Sequence, residues 1–221
     1  MEQQTEKVIK RTAAELAIFS GLFVVSVLAF TFLAKKVLVE NNETFDTRVY
    51  QYLSTRLSAP TKNFLNTLTF FGSMKFLLPA YLGLILYCVY KRKRHYAIDI
   101  AAIAISSTAL LFILKNTLRR SRPTEEDIFK TIDVYSFPSG HALSSFIFSA
   151  VLIYTVWRTR LPLAAKWLLS TLLLCFSLLI GMSRVVLGYH YASDVLAGLC
   201  LGFGWVMLSL RLSKNVKFLN S

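Results

Sequence analysis

The chain has 221 residues, 55% of them hydrophobic, with 25 Lys+Arg against 12 Asp+Glu and a net charge of +13; its mean hydropathy is +0.52. So apolar a chain is not disordered, and with 9 Gly and 5 Pro it is neither collagen-like nor low-complexity. A nucleic-acid binder can carry this charge but not this hydrophobicity, and a soluble domain would expose large apolar patches, so the class that remains is an integral membrane protein with basic loops.

A helix needs roughly 20 apolar residues to cross a ~30 Å hydrocarbon core. Six stretches qualify in chain order: Ala13–Leu38, Phe70–Tyr90, Tyr96–Leu118, Ala142–Trp157, Ala164–Met182 and Tyr191–Leu212. The predicted fold is therefore all-α, a polytopic bundle of six transmembrane helices in one domain over residues 1–221. The first stretch has a basic lead (Lys7, Lys10, Arg11) like a signal peptide. Its apolar run is too long for that and continues into Lys35 and Lys36, which predicts a retained span. The second carries Lys75 in its first turns, read as a lysine snorkelling to the interface. On the last, Gly198 and Gly202 form a GxxxG pair suited to helix packing. Cys88, Cys175 and Cys200 lie in apolar runs without metal-ligand spacing and read as core or lipid-facing residues.

Orientation follows from the loops. With both termini cytoplasmic, the inner segments hold Lys7, Lys10 and Arg11; Lys91, Arg92, Lys93 and Arg94; Arg158, Arg160 and Lys166; and Arg211, Lys214 and Lys217. The first outer loop balances Arg48, Arg56 and Lys62 against Glu40, Glu43 and Asp46. The second outer segment, Arg119–Phe137, breaks the rule with Arg119, Arg120, Arg122 and Lys130. A basic cluster on the wrong side suggests a bound anion, although Glu125, Glu126 and Asp127 next door offer it partners.

Three polar patches fall at the outer ends of spans: Lys115 with Arg122-Pro123; Pro138-Ser139-Gly140-His141; and Ser183-Arg184 with His190 and Asp194. Together they hold two histidines, three cations and one carboxylate at one membrane face. Any one alone reads as an interfacial anchor or a structural histidine. Jointly they point to a phosphate. Arginine offers a planar fork for phosphate oxygens and lysine a point charge. Ser139-Gly140 opens a helix whose first N–H groups bind anions, and Gly140 admits close approach. Four apart, His190 and Asp194 share a face if helical, so the carboxylate can hold one imidazole nitrogen and leave the other to attack. His141 is a second imidazole, available to protonate a leaving oxygen. No Asp/Glu cluster suited to Mg²⁺ accompanies them.

These patches resemble the three signatures of the type 2 phosphatidic acid phosphatase superfamily, which also includes vanadium haloperoxidases: K-x6-R-P, P-S-G-H and S-R-x5-H-x3-D. Every fixed position is matched, within residues 115–194. The resemblance implies that His190 attacks phosphorus to form a phosphohistidine, that Asp194 orients His190, and that His141 protonates the leaving group and then activates water. It implies phosphoryl binding by Lys115, Arg122, Ser139, Gly140 and Arg184, and no metal or other cofactor.

An outward-facing site at span ends suits a membrane lipid phosphate whose tails stay in the bilayer. Phe64, Leu65, Phe70 and Phe71 could form an interfacial entry segment or simply pack against other spans. Bacterial members of the family act on undecaprenyl diphosphate, phosphatidylglycerophosphate, phosphatidate or lipid A phosphates. Compact size and short loops put the first two ahead. The expectation is a metal-independent lipid phosphatase of a plasma (inner) membrane, its site facing the periplasm or exterior, with no nucleic-acid partner. A lipid phosphotransferase would use the same phosphohistidine; a soluble haloperoxidase is disfavoured by six spans; a transporter would not need the nucleophile.

Overall fold

The computed structural model describes residues 2–123 and 135–219. Glu125, Glu126, Asp127 and Lys130 lie outside the described residues. All regular structure among the described residues is helical: α1 (Glu2–Ala34, continued by a π-helical turn, Lys35–Val39), α2 (Thr44–Arg56), α3 (Ala59–Thr69), a 3₁₀ turn (Phe70–Gly72), α4 (Met74–Tyr90), α5 (Arg94–Leu118), α6 (Gly140–Trp157), α7 (Leu163–Val186) and α8 (Ala192–Leu219).

Five of these helices are long and apolar enough to cross a membrane, from Ala13–Val39 in α1 to Ala192–Leu212 in α8. The second expected span differs. Its helix begins at Met74, and only with Ala59–Gly72, bent by 45° against it, does the pair pass as a sixth. Lys75 lies exposed in the first turn of α4. The outer faces carry large exposed apolar side chains: Val25, Leu28 and Phe32 on α1, Ile105 and Phe112 on α5, Leu168 and Leu172 on α7. In water this surface would be untenable; against lipid it is the favourable arrangement.

The segment between the first two spans is not a plain loop. It forms α2 and α3, half-polar helices lying over one end of the bundle. Pro60 near the start of α3 has the φ that a helical first turn requires. Leu65 and Leu68 bury against Ile180 and Val186, with Phe71 packed beside them, while Phe64 and Phe70 remain exposed. The four apolar residues of the expected entry segment thus divide between core and surface.

α6 is the central element, packed on both α7 and α8, with α1 along α8 and α4 along α5. Ala142, Leu143 and Ile147 are completely buried. Gly198 and Gly202 face α6, and a Cβ on Gly198 would stand 2.7 Å from the Ser139 carbonyl oxygen. The GxxxG pair is therefore an intramolecular packing seam. Cys88 is buried, Cys175 exposed and Cys200 intermediate; all three are free thiols.

Candidate active site

The three sequence patches meet at one end of the bundle, each placed by the end of a helix. α5 stops at Arg119, whose left-handed backbone (φ 46°) lets its N–H donate to the Lys115 carbonyl at 3.1 Å. Lys115 is thereby held in the last turn of α5. It is buried, and its Nζ donates to the Tyr135 carbonyl at 2.8 Å. Beyond the reversal, Ser136 ties residues 120–121 down: its N–H donates to the Arg120 carbonyl at 2.9 Å and its hydroxyl to the Ser121 carbonyl at 2.8 Å. Arg122 is partly exposed.

The Phe137–Pro138 peptide is cis. Ser139 caps α6, its hydroxyl accepting from the Ala142 N–H at 3.4 Å, and its own N–H donates to the Asp194 carbonyl at 3.0 Å. The second and third patches are thus joined through backbone. The first-turn amides of α6, at Gly140 and His141, point out of the helix end as an anion-binding surface. Gly140 stands beside Lys115: a Cβ there would meet Lys115 Cε at 4.0 Å. His141 is within electrostatic reach of Arg184, His190, Lys115 and Arg122.

The third patch departs from expectation in one respect. α7 runs on to Val186, so Ser183 and Arg184 belong to its last turn, but α8 begins only at Ala192. His190 precedes α8 instead of lying on it. Gly188, at φ 74°, allows the reversal, and the Tyr189 and His190 amides both return to the Arg184 carbonyl at 3.0 and 3.1 Å. Asp194, in the first turn of α8, still meets His190: its Oδ2 lies 3.5 Å from His190 Nδ1. No hydrogen bond closes across that gap, and none from another described residue replaces it. Nε2 is left as the nitrogen facing away from the carboxylate. Burial pushes the His190 imidazole down to about 4, against the pull of Asp194 and with Lys115 and Arg184 adding to the depression. At neutral pH the ring is uncharged.

Arg184 is buried, stacked over Tyr189 with Cζ 4.0 Å from the ring centroid, and its Nη1 donates to Thr69 Oγ1 at 3.3 Å. Two further residues attach to the site that the motifs do not name. Arg120 donates from Nη1 to Asp194 Oδ1 at 2.6 Å and from Nη2 to Asp46 Oδ2 at 2.9 Å. The outer basic cluster is therefore divided. Arg120 is engaged by protein carboxylates, Arg119 bonds the Asn116 carbonyl at 2.8 Å, and Arg122 stays near His141. The only sequence trace of Arg120's place was its presence in that anomalous cluster.

A family model for the PAP2 superfamily matches residues 96–218, more than half of the chain. Phosphatidylglycerophosphatase B of Bacillus subtilis (strain 168) is 28% identical over 152 residues, covering 68% of this chain and 74% of that protein. Lipid A 1-phosphatase of Rhizobium etli is 32% identical over 118 residues, and the chain spans only 44% of its length. Among solved structures, a transmembrane PAP2-type phosphatidylglycerolphosphate phosphatase from Bacillus subtilis superposes with a TM-score of 0.78 at 22% identity, covering 88% of this chain and 96% of that one. LpxE of Aquifex aeolicus superposes with a TM-score of 0.57 at 22% identity, over 75% of this chain and 94% of that one. Both structural likenesses speak to the fold. Residues 115–194 lie wholly inside the family match, whereas Asp46 lies outside it. With its apolar helices and a family match across more than half its length, the chain belongs to the PAP2 superfamily as a multi-span membrane member.

Proposed function

We propose that this membrane phosphatase removes a terminal phosphate from a membrane lipid, a phosphomonoester or pyrophosphate, through a phosphohistidine on His190 and without a metal ion. The observation that carries this reading is the buried His190 with Asp194 Oδ2 3.5 Å from its Nδ1 and Lys115 and Arg184 close enough to act on it. Nε2 attacks phosphorus and forms the N–P bond as the P–O bond to the lipid breaks. His141 gives its proton to the departing oxygen. It then takes a proton from the water that attacks the phosphohistidine, which releases inorganic phosphate and restores His190. Lys115, Arg122, Arg184, the Ser139 region and the Gly140 and His141 amides hold the phosphoryl oxygens as charge develops on them.

Phosphatidylglycerophosphate leads the candidate substrates, because a relative covered over 74% of its length is named for it. Undecaprenyl diphosphate, phosphatidate and lipid A phosphates share the same phosphoryl chemistry. The site faces the periplasm or exterior of a plasma membrane, opposite the basic inner loops.

The test is phosphate release from these purified lipids in detergent, with EDTA and with orthovanadate. Release survives EDTA, falls with vanadate and is abolished by His190→Ala. Loss in EDTA with recovery in Mg²⁺ sinks the metal-free route. Unchanged hydrolysis by His190→Ala sinks the nucleophile. Phosphate appearing on an added acceptor lipid instead of in solution makes the protein a phosphotransferase.

A further inference from the structure

Asp46, Arg120 and Ser193 form a buried polar network that none of these roles uses. The Arg120 side chain is 6% exposed and that of Asp46 only 2%. Besides its bonds to Asp194 and Asp46, Arg120 Nη1 donates to Ser193 Oγ at 2.8 Å. Its guanidinium lies on the Tyr191 ring, Cζ 3.8 Å from the centroid, and Glu43 Oε1 stands 3.7 Å from Nη2. Asp46 in turn accepts from the Ser193 backbone N–H at 2.7 Å and from its hydroxyl at 2.6 Å. Residues from α2, the end of α5 and the start of α8 thus close on one guanidinium.

The two oxygens of Asp194 are assigned different partners. Oδ1 accepts from Arg120. Oδ2 accepts from the Tyr191 N–H at 3.0 Å and faces His190 Nδ1. Asp194 is completely buried, and a buried carboxylate is costly unless it is paired and hydrogen-bonded. We infer that Arg120, anchored by Asp46, is a positioning residue for the reaction: by occupying Asp194 Oδ1 it keeps Oδ2 turned to His190 Nδ1, and so presents Nε2 to phosphorus. This rests on the His190 nucleophile proposed above.

The planar fork is what the place requires. One nitrogen meets Asp194 while the other meets Asp46, and a lysine ammonium cannot span both. Asp46 supplies the second negative charge that keeps the guanidinium from being drawn wholly to Asp194. Burial opposes the Arg120 charge, but Asp194 and Asp46 more than offset it and hold its pKa above the ordinary value. His190 itself faces Asp194 from α8, Lys115 from α5, Arg184 from α7 and His141 from α6. Arg120 reaches it through Asp194.

The test compares R120K and D46N with wild type and His190→Ala, as full-length protein in detergent. Each variant is given a melting temperature and a kcat/KM profile against pH. In R120K, kcat falls about 10–100-fold, the range for outer partners of a site, with KM little changed. Its acid limb moves to higher pH, because a lysine that cannot span both carboxylates compensates Asp194 less, and Asp194 then supports the imidazolium more strongly. D46N lowers kcat by less and moves the limb the other way, to lower pH, because Arg120 is then drawn wholly to Asp194. If R120K does not fold, D46N decides by its own loss of kcat and downward limb shift, since it keeps the acceptor for the Ser193 amide. Wild-type kcat and pH profile in the folded variants overturn the inference. So does a loss of kcat with the pH profile unmoved, the mark of a merely structural ion pair. Activity retained by His190→Ala is a separate failure, of the nucleophile itself, and takes the positioning role down with it.

Discussion

Two imidazoles on one phosphate are useful only if one can be uncharged while it attacks. Burial of His190 does this, with Asp194 limiting how far the pKa falls to its value of about 4. The sign follows directly. Above that value the ring is neutral and able to attack; below it the ring is protonated and cannot. The enzyme's own acid limb in kcat/KM is therefore expected well below 6.5, an ordinary histidine value. A substrate phosphate monoester titrates near 6, so a variant is needed to isolate the enzyme's contribution. Asp194→Asn removes the charge that supports the imidazolium. It should move the enzyme limb lower still, while kcat drops by orders of magnitude because the ring loses its orientation. An Asp194→Asn limb above that of wild type would show that the carboxylate does not act on His190 in this way. The outward cations matter on the same scale: losing Lys115 or Arg184 should add about 2–4 kcal/mol to the barrier, as other anion-stabilising donors do.

At the scale of elements, the site depends on how closely α8 crosses the start of α6. Gly198 sits under the Ser139 carbonyl, and an added Cβ would come within 2.7 Å of that backbone oxygen. Neither partner is a flexible side-chain end, so a helix must shift. Gly83 in α4 has nothing within 4 Å of the same built atom. Gly198→Ala is expected to lose about 1–3 kcal/mol by overpacking, and Gly83→Ala to gain about 0.5–1 kcal/mol from helix propensity. Melting temperatures in one detergent check this, and Gly198→Ala melting no lower than Gly83→Ala overturns it. The crossing was legible in sequence because a GxxxG pair is a local pattern in an apolar run. The spans and three patches were legible for the same reason: hydropathy and short spacings lie within one element. α2 and α3 were not, because Thr44–Arg56 and Ala59–Thr69 mix polar and apolar residues and each follows turn-forming residues, Asn41-Asn42 and Ser58. That His190 stands outside α8 was not legible either, because spacing alone does not show that Gly188 turns the chain after α7 and delays α8. The Asp46–Arg120 pair joins residues 74 apart in sequence, and no local pattern announces such a contact.

On the scale of the whole molecule, charge is sorted between two ends of one bundle. α5 has 25 residues, about 37 Å at the helical rise, enough to cross the hydrocarbon core. Lys115 lies at one of its ends, with the catalytic patches. Arg94 and Tyr96 lie at the other, where Arg158 stacks over Tyr96 and Tyr154 at 4.8 and 4.4 Å from the ring centroids. Lys166 donates to the Trp157 carbonyl there, and Trp157 meets Trp167 edge-on at 5.2 Å. Aromatic rings with interspersed Lys and Arg mark a membrane interface, and the larger share of cations marks the cytoplasmic one. The site end has its own cations, but Arg120 is neutralised by Asp46 and Asp194, which weakens its vote on orientation. The phosphate site should then face outward. In a background with Cys88, Cys175 and Cys200 replaced, Glu126→Cys is expected to react with a membrane-impermeant maleimide on intact cells. Arg160→Cys, at the opposite end of the bundle, is expected to react only after permeabilisation. The reverse pattern would place the phosphate site on the cytoplasmic face and require its lipid to be drawn from the inner leaflet.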